Sequence, residues 1–231
     1  MVVVSIMPCT AKKFEAKRPE MGNDVDYVLT TREAAQMIKE AGIDFVNLPD
    51  EDFDHPLGES TGAAVIFGAT GGVMEAALRT AYEVVTKKTL DRLDFKDRLD
   101  FKDVRGLEGI KTAEVDLDGL KVRVAVANGL GNARKLLEEV QAGKSPYHFI
   151  EIMCCPGGCL GGGGQPIPTN MEIKKKRAEA IYKEDAGKPI RKSHENPSVQ
   201  AIYKEFLGEP LSEKSHHLLH TTYNKRGLAK K

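Results

Sequence analysis

The sequence of 231 residues lacks several features that would assign it to a broad class directly. It has no Trp, aromatic residues make up 6%, and Lys plus Arg equals Asp plus Glu at 34 each. Zero net charge gives no electrostatic reason to expect a nucleic-acid partner. The longest weakly polar run, 62–74, ends before Glu75 and Arg79 and is too short to span a membrane. Since the N-terminus has no basic region before its short apolar run, no signal peptide is predicted and a cytoplasmic location is expected.

Cysteine is scarce, and its distribution is more informative than its number. Cys154, Cys155 and Cys159 lie close together, whereas Cys9 stands far from them in the chain. A disulfide framework would distribute cysteines as cross-links through a small secreted domain. The clustering therefore indicates free thiols that serve metal or redox chemistry.

The first part of the chain has the rhythm of an α/β fold. Val2 to Met7 predicts a short buried strand, 27–29 a second strand and 43–48 a third. Apolar residues at helical spacing predict a helix over 32–40, with Gly42 at its C-terminal cap. Strand, helix and strand in this order favour a mainly parallel sheet flanked by helices.

The middle of the chain adds further predicted elements. They are packed helices within 56–88, a hairpin of strands 115–117 and 122–127 around Asp118 and Gly119, a helix over 132–143 and a strand over 148–153. The hexapeptide DRLDFK occurs twice in tandem, at 91–96 and 97–102, and predicts only a surface connection.

The composition changes after Pro168. A strongly charged helix is predicted from 171, and a second helix over 196–208 has Asn196 as N-cap and Gly208 at its end. We therefore predict two units: an α/β lobe over 1–168 and a helical C-terminal appendage over 169–231.

The stretch EIMCCPGGCLGGGGQP, residues 151–166, carries the strongest chemical signal. Cys155 and Cys159 are separated by Pro-Gly-Gly, a turn that can direct both thiolates at one body. The four glycines of 161–164 allow positive φ angles and close backbone approach to a bulky group. Their N–H groups can also donate hydrogen bonds to sulfur.

Several chemistries compete for this stretch. Zinc prefers four ligands in two close pairs, whereas the sequence offers one pair and the distant Cys9. A nucleophilic cysteine needs a base, and the motif holds no His; a phosphate loop needs a Lys-Ser or Lys-Thr ending. A flexible glycine-rich loop with inert cysteines is the structural alternative. An iron–sulfur cluster fits best, because thiolates are its natural ligands.

A second stretch, MPCTAKKFEAKRPEM over 7–21, surrounds Cys9. Cys9 follows a strand and Pro8 at a predicted helix start, a position that favours the thiolate. Lys12 lies one helical turn later and can face the same side as Cys9. The remaining basic residues of this stretch fit a solvated helix face.

These two stretches resemble the iron-only hydrogenases. The family reads Met-Pro-Cys-x-x-Lys-Lys-x-Glu in one motif and Glu-x-Met-x-Cys-Pro-Gly-Gly-Cys-x-Gly-Gly-Gly-Gly-Gln-Pro in another, and residues 7–15 and 151–166 match them. Residues 53–81 and 191–223 also resemble this family, the latter its small-subunit-like segment. The resemblance covers nearly the whole chain apart from the DRLDFK repeat.

The resemblance implies a site. Cys9, Cys155 and Cys159 would ligate the 4Fe–4S cubane of the H-cluster, and Cys159 would bridge it to a two-iron subsite bearing carbonyl, cyanide and dithiolate ligands. Lys12 would hydrogen-bond a cyanide, so Lys12 and Cys159 are the predicted catalytic residues. The remaining predicted cofactor-binding residues are Met7, Pro8, Phe67, Met153, Gly158 and Gln165. Cys154 is predicted to be a packing variant and not a ligand.

One family motif, Thr-Ser-Cys-Cys-Pro, has no match in the sequence. In the family it supplies the fourth cubane ligand and a proton-relay cysteine. We therefore expect an upstream lobe or partner subunit to supply them, with ferredoxin or NAD(P)-linked subunits as electron partners. The implied activity is reversible oxidation of dihydrogen. The alternatives are a non-catalytic iron–sulfur protein, acting in assembly or sensing, and an inactive fragment.

Overall fold

The computed structural model describes residues 1–90, 104–107 and 109–225. The described strands are β1 (Val4–Met7), β2 (Tyr27–Thr30), β3 (Ile110–Leu117), β4 (Leu120–Asn128) and β5 (Phe149–Met153). The described α-helices are α1 (Lys12–Glu15), α2 (Thr31–Glu40), α3 (Gly62–Ile66), α4 (Gly72–Thr86), α5 (Leu130–Gln141), α6 (Met171–Gly187), α7 (Pro197–Ile202) and α8 (Glu213–Leu219). The DRLDFK repeat and residues 226–231 lie outside the described residues.

The strands form two sheets. β1 pairs with β2 in parallel, and β4 pairs with β3 in antiparallel and with β5 in parallel. The α/β class and the parallel pairings are therefore confirmed, and the second sheet is mixed because it contains the predicted hairpin. Asp118 and Gly119 form its turn with φ of 62° and 97°, angles that the Asp-Gly pair adopts readily.

Strand β4 organises the core by its two-residue periodicity. Val124 and Val126 face one side, in a cluster with Met74 and Leu78 of α4. Ala125 and Ala127 face the other side, against Ala133 and Leu136 of α5. The mixed sheet therefore lies between α4 and α5, with its centre fully buried.

Two predictions for the first segment need correction. Val4 and Ile6 of β1 are about half exposed (50% and 57%), so this strand is not buried on both faces. Residues 43–48 do not form a strand, since Phe45–Asn47 is a short 3-10 helix. There the Asn47 side chain donates to the Asp44 carboxylate at 2.8 Å, a local bond that competes with extended backbone.

Helix starts and ends follow the sequence signals closely. Thr30 and Glu33 form a reciprocal capping box at the start of α2, and Gly42 has a φ of 68° just beyond its end. The Asn196 side chain accepts from the backbone of Ser198 and Val199 at the start of α7. After Ile202 the helix continues as a π-helical turn, Tyr203–Leu207.

The segment after residue 168 is helical as predicted, and it is fastened to the α/β part by buried charges. The Asp185 carboxylate of α6 accepts two hydrogen bonds from Arg79 of α4, both 2.8 Å long. Arg79 also donates to Glu75 at 2.7 Å, and all three side chains are almost fully buried. Whether 168 divides two independent domains stays a prediction, but the contact across it is part of the core.

Candidate iron–sulfur site

The cysteine loop begins where β5 ends and turns tightly through glycine. The Gly158 N–H donates to the carbonyl of Cys155 at 2.8 Å, and the Gly162 N–H donates to that of Cys159 at 3.1 Å. Gly157 and Gly158 have φ angles of 91° and 76°, which side chains other than glycine rarely adopt. The Pro-Gly-Gly sequence therefore returns the chain so that Cys155 and Cys159 belong to one compact turn.

The run of glycines brings this loop against the segment that carries Cys9. The Gly164 N–H donates to the carbonyl of Pro8 at 3.2 Å. A Cβ atom at Gly162 would overlap that same carbonyl oxygen, and one at Gly164 would lie 3.0 Å from the Cys9 nitrogen. The two cysteine motifs, remote in sequence, thus contact each other backbone to backbone.

A third segment, between α3 and α4, closes on the loop from another direction. Ala69 forms an isolated antiparallel bridge with Gly158, and the Leu160 N–H donates to the carbonyl of Gly68 at 3.3 Å. Phe67 immediately precedes this contact and is 47% exposed. The structure therefore brings the predicted pocket residue Phe67 to the segment that borders the loop.

The predicted ligand thiols influence one another electrostatically. Cys9, Cys155 and Cys159 are partly buried, whereas Cys154 is exposed. That Cys154 is a packing variant and not a ligand stays a prediction. Burial raises the pKa of Cys155, and the neighbouring Cys154, Cys9 and Cys159 raise it further. These influences indicate that the three predicted ligand thiols lie near one another.

Lys12 lies within electrostatic reach of the same thiols. Burial and Cys9 raise the pKa of Cys159, and the positive charge of Lys12 opposes that shift. The Lys12 ammonium also pairs with Glu15 one turn along α1, at 2.6 Å. Its neighbour Lys13 faces away, bonding the carbonyl of Val28 at 2.9 Å. Of the two lysines in the motif, Lys12 is therefore the one directed toward the cysteines.

The remaining predicted site residues fall into two groups: side chains at the ends of strands, and a side chain that holds the cysteine loop by a hydrogen bond. Met7 and Met153 are half-buried at the ends of β1 and β5. Gln165 instead holds the loop in place, because its side-chain amide donates to the Cys159 carbonyl at 3.0 Å. Arg32 of α2 in turn donates to the backbone carbonyl of Gln165 at 2.6 Å.

Sequence reasoning missed two polar residues that support the loop from the mixed sheet. The Asn128 side chain accepts from the Gly157 N–H at 2.9 Å and donates to the carbonyl of Leu107. The buried Glu151 carboxylate accepts from the N–H groups of Gly71 and Met74 at 2.7 and 2.6 Å, which fixes the start of α4. Burial raises the pKa of Glu151, and these two hydrogen bonds oppose the rise. In the sequence, Asn128 was visible as a polar residue directly after the predicted strand 122–127.

Helix α6 contributes a third missed contact. Arg177 donates to the carbonyl of Leu160 at 2.8 Å and to that of Pro166 at 3.0 Å. These two carbonyls flank the glycine run. The segment after residue 168 therefore holds the cysteine loop directly.

The donor set fits an iron–sulfur cluster. Three thiols converge beside a loop whose glycines leave no room for side chains, and thiolates are the ligands that iron–sulfur clusters take. A structural zinc site would want four ligands, with sulfur or imidazole donors.

A second group of side chains of metal-binding type already has a lysine ammonium of the protein as its cation. Glu83, His194 and Glu195 lie together, but the Lys192 ammonium sits 2.7 Å from Glu83 and 2.6 Å from Glu195. A cation of the protein itself therefore occupies that position.

Comparison with known proteins places the chain in a family. The family described as "Iron only hydrogenase large subunit, C-terminal domain" matches residues 1–163, and "Iron hydrogenase small subunit" matches residues 171–226. The chain belongs to the iron-only hydrogenase family. The resemblance carried by the two cysteine motifs is thereby confirmed.

Individual relatives give the same picture. The NADP-reducing hydrogenase subunit HndD of Solidesulfovibrio fructosivorans is 58% identical over 98% of this chain and 38% of its own length. A solved structure of FeFe-hydrogenase HydA1 from Chlamydomonas reinhardtii, a variant, superposes with a TM-score of 0.74 at 45% identity, over 96% of this chain and 63% of that one. The cytosolic iron-sulfur assembly component 3 of Rattus norvegicus is more distant, at 31% identity over 96% of this chain and 47% of its own length.

The chain thus spans less than two thirds of the length of each of these three relatives. Within its described residues, no helix is long and apolar enough to cross a bilayer.

Proposed function

We propose that this chain forms the iron-binding half of a hydrogenase that catalyses the reversible oxidation of dihydrogen. The observation that carries the proposal is the convergence of Cys9, Cys155 and Cys159 against a glycine loop, in a chain 58% identical to a hydrogenase subunit. The cofactor would be a 4Fe–4S cluster linked through Cys159 to a two-iron subsite. When bound, that group would supply the redox chemistry by which one dihydrogen molecule gives two protons and two electrons.

The residues of the chain bind, orient and electrostatically adjust this cofactor. Cys9, Cys155 and Cys159 act as thiolate ligands, and each loses its proton when iron binds. Because burial and mutual repulsion raise the pKa of Cys155 in the free protein, iron must displace protons that the site otherwise retains. Cluster binding is therefore expected to weaken at low pH.

Lys12 serves as a hydrogen-bond donor to an anionic ligand of the two-iron subsite. The effect of its charge on Cys159 supports this role. The Glu15 carboxylate pairs with the ammonium at 2.6 Å and limits its rotation. Met7, Pro8, Phe67 and Met153 exclude water around the subsite, and Gly158 lets the backbone approach it.

A 4Fe–4S cubane takes four thiolates, and this chain contributes three. We propose that the fourth comes from a separate lobe or partner subunit carrying a Thr-Ser-Cys-Cys-Pro motif. The incomplete coverage of HndD and of HydA1 supports this arrangement. The name of HndD, an NADP-reducing hydrogenase subunit, supports an NAD(P)-linked partner, with ferredoxin as the other electron partner considered. The cytoplasmic location expected from the sequence stays a prediction.

A second candidate function is iron–sulfur binding without hydrogen turnover. It rests on the 31% identity to an iron–sulfur assembly component over nearly the whole chain. The two functions differ in the two-iron subsite, which only the hydrogenase requires.

The deciding experiment expresses the chain with and without a polypeptide that carries the missing motif, in a host with the cluster maturation machinery. Iron content, carbonyl and cyanide infrared bands, and hydrogen evolution are measured together. We expect all three in the combined sample. Iron without the infrared bands would reject the hydrogenase function and favour the second candidate.

Adjacent cysteines provide a matched control for the ligand assignment. Cys155→Ser removes a proposed ligand, whereas Cys154→Ser removes an exposed thiol next to it. We expect Cys155→Ser to lose most of its iron and Cys154→Ser to retain it. Equal iron loss in both variants would contradict the assignment.

A further inference from the structure

A lysine of α6 lies over the cysteine loop. A Cβ atom built on Gly157 would lie 3.3 Å from Cδ of Lys174, and one built on Gly161 would lie 3.0 Å from its Cε and 3.4 Å from its Nζ. The Lys174 stem thus runs across the turn that holds Cys155 and Cys159.

The placement of Lys174 is fixed by its helix. Its backbone N–H donates to the carbonyl of the N-cap residue Asn170 at 3.1 Å, in the first turn of α6. Three residues later, Arg177 bonds the carbonyl of Leu160 at 2.8 Å. Positions three apart on a helix share one face, so the two cations of α6 face the loop together.

The Lys174 ammonium makes no ion pair with a carboxylate among residues 1–90, 104–107 and 109–225. By contrast, Lys176 on the same helix pairs with Glu172 at 2.8 Å. Lys174 itself is half-buried, and its ammonium lies beside the backbone of Gly161. Its charge is therefore directed at the loop.

We propose that Lys174 is a positioning residue that sets the reduction potential of the cluster held by Cys155 and Cys159. This rests on the proposed function. A cluster with thiolate ligands carries net negative charge, and reduction adds one more electron. A fixed positive charge nearby stabilises the reduced form, since cluster potentials depend on net charge and surroundings. The segment after residue 168 would thus act on the cluster electrostatically without supplying a ligand.

The test uses the full chain, reconstituted with iron, sulfide and a small thiol as the fourth ligand. Its midpoint potential is measured by spectroscopic redox titration for the wild type and for Lys174→Gln, Lys174→Arg and Lys175→Gln. We expect Lys174→Gln to lower the ratio of reduced to oxidised cluster about tenfold at fixed potential, about 59 mV for one electron. Lys174→Arg should restore the wild-type value. Lys175→Gln, an exposed lysine on the next position, should leave it unchanged.

A second measurement needs no iron. Amide hydrogen exchange of 157–162 in the metal-free chain should be faster in Lys174→Ala than in the wild type, because the stem no longer covers the turn. Unchanged potentials with a cluster present, an equal shift in Lys175→Gln, or unchanged exchange would each overturn the inference. A wild-type chain that takes up no cluster even when a partner polypeptide supplies the fourth thiolate would instead reject the proposed function, and the inference with it.

Discussion

The buried carboxylate of Asp185 offers the sharpest test of how the two matched family regions are joined. It accepts two hydrogen bonds from Arg79, and Arg191 donates to both of its oxygens at 3.2 and 2.6 Å. Arg79 is completely buried, and its other carboxylate partner is Glu75. The substitution Asp185→Asn keeps the shape of the side chain and removes its charge.

We expect Asp185→Asn to lower the free energy of unfolding by about 3–5 kcal/mol, because one partner of a buried pair is removed and Arg79 keeps a charge with fewer acceptors. For a chain of this size that corresponds to a fall in Tm of roughly 6–20 °C. Urea unfolding followed by circular dichroism measures the first quantity, and a thermal scan the second.

Glu184→Gln is the matched control. Glu184 is the preceding residue, is 58% exposed, and pairs with Lys188 at 2.9 Å on the surface. Its removal should cost less than about 1 kcal/mol, because exposed ion pairs contribute little. A loss below about 1 kcal/mol in Asp185→Asn, or an equal loss in both variants, would refute the reasoning.

The same carboxylate predicts a pH dependence. Burial alone would raise the pKa of Asp185, but hydrogen bonds from Arg79 and Arg191 outweigh it and hold the pKa below its ordinary value. A depressed folded pKa stabilises the protein above the unfolded pKa of about 3.9, and this contribution is lost as pH falls through the folded pKa. Asp185→Asn should therefore flatten the acid limb of the stability curve.

Three further predictions concern the loop, a cap and the C-terminal segment. Gly162→Ala should destabilise the chain by about 1–3 kcal/mol and impair iron uptake, because the added Cβ would overlap the Pro8 carbonyl. Gly131→Ala, whose Cβ would have nothing within 4 Å, should instead stabilise the chain by about 0.4–1 kcal/mol. Urea unfolding and iron analysis check both variants. The Glu33 carboxyl should titrate with a pKa of about 2 in an NMR pH series, since the Thr30 backbone and Lys13 hydrogen-bond its charged form, and Lys13→Met should raise that pKa. Ending the chain after His220 should speed amide exchange over 12–21, because Arg18 loses its hydrogen bond to the Thr222 carbonyl at 2.7 Å and its contact with the Tyr223 ring. Unchanged exchange would count against a stabilising role of these two contacts.

Local signals in the sequence predicted much of the fold. The Asp118–Gly119 turn, the Asn196 cap and the helix over 32–40 all follow from short-range chemistry that one segment contains by itself. Residues 43–48 were wrongly predicted because a short apolar run does not distinguish a strand from an exposed turn of helix. Whether a strand is covered depends on other segments, which is why the exposure of β1 was not predicted.

The candidate site also divides into residues indicated by local sequence signals and residues whose roles depend on tertiary contacts. The cysteines and Lys12 could be named from the sequence because residue types, spacing and the family resemblance point to them, and their roles as ligands and hydrogen-bond donor stay predictions. Asn128, Arg177 and Lys174 were missed because their roles depend on which loop they meet in space. A lysine or arginine on a charged helix looks like a surface residue until the tertiary contact is known.

Two hydrogen-bond contacts have a consequence for biosynthesis: Arg18 donates to the Thr222 carbonyl, and Arg177 donates to carbonyls of the cysteine loop. During translation the Cys9 segment emerges first, yet the contacts that fix it come from residues about two hundred positions later. The cysteine loop likewise lacks the hydrogen bond from Arg177 until α6 has been synthesised. A nascent chain that ends before residue 171 would therefore contain the cysteines without the contacts that Arg177 makes to the loop.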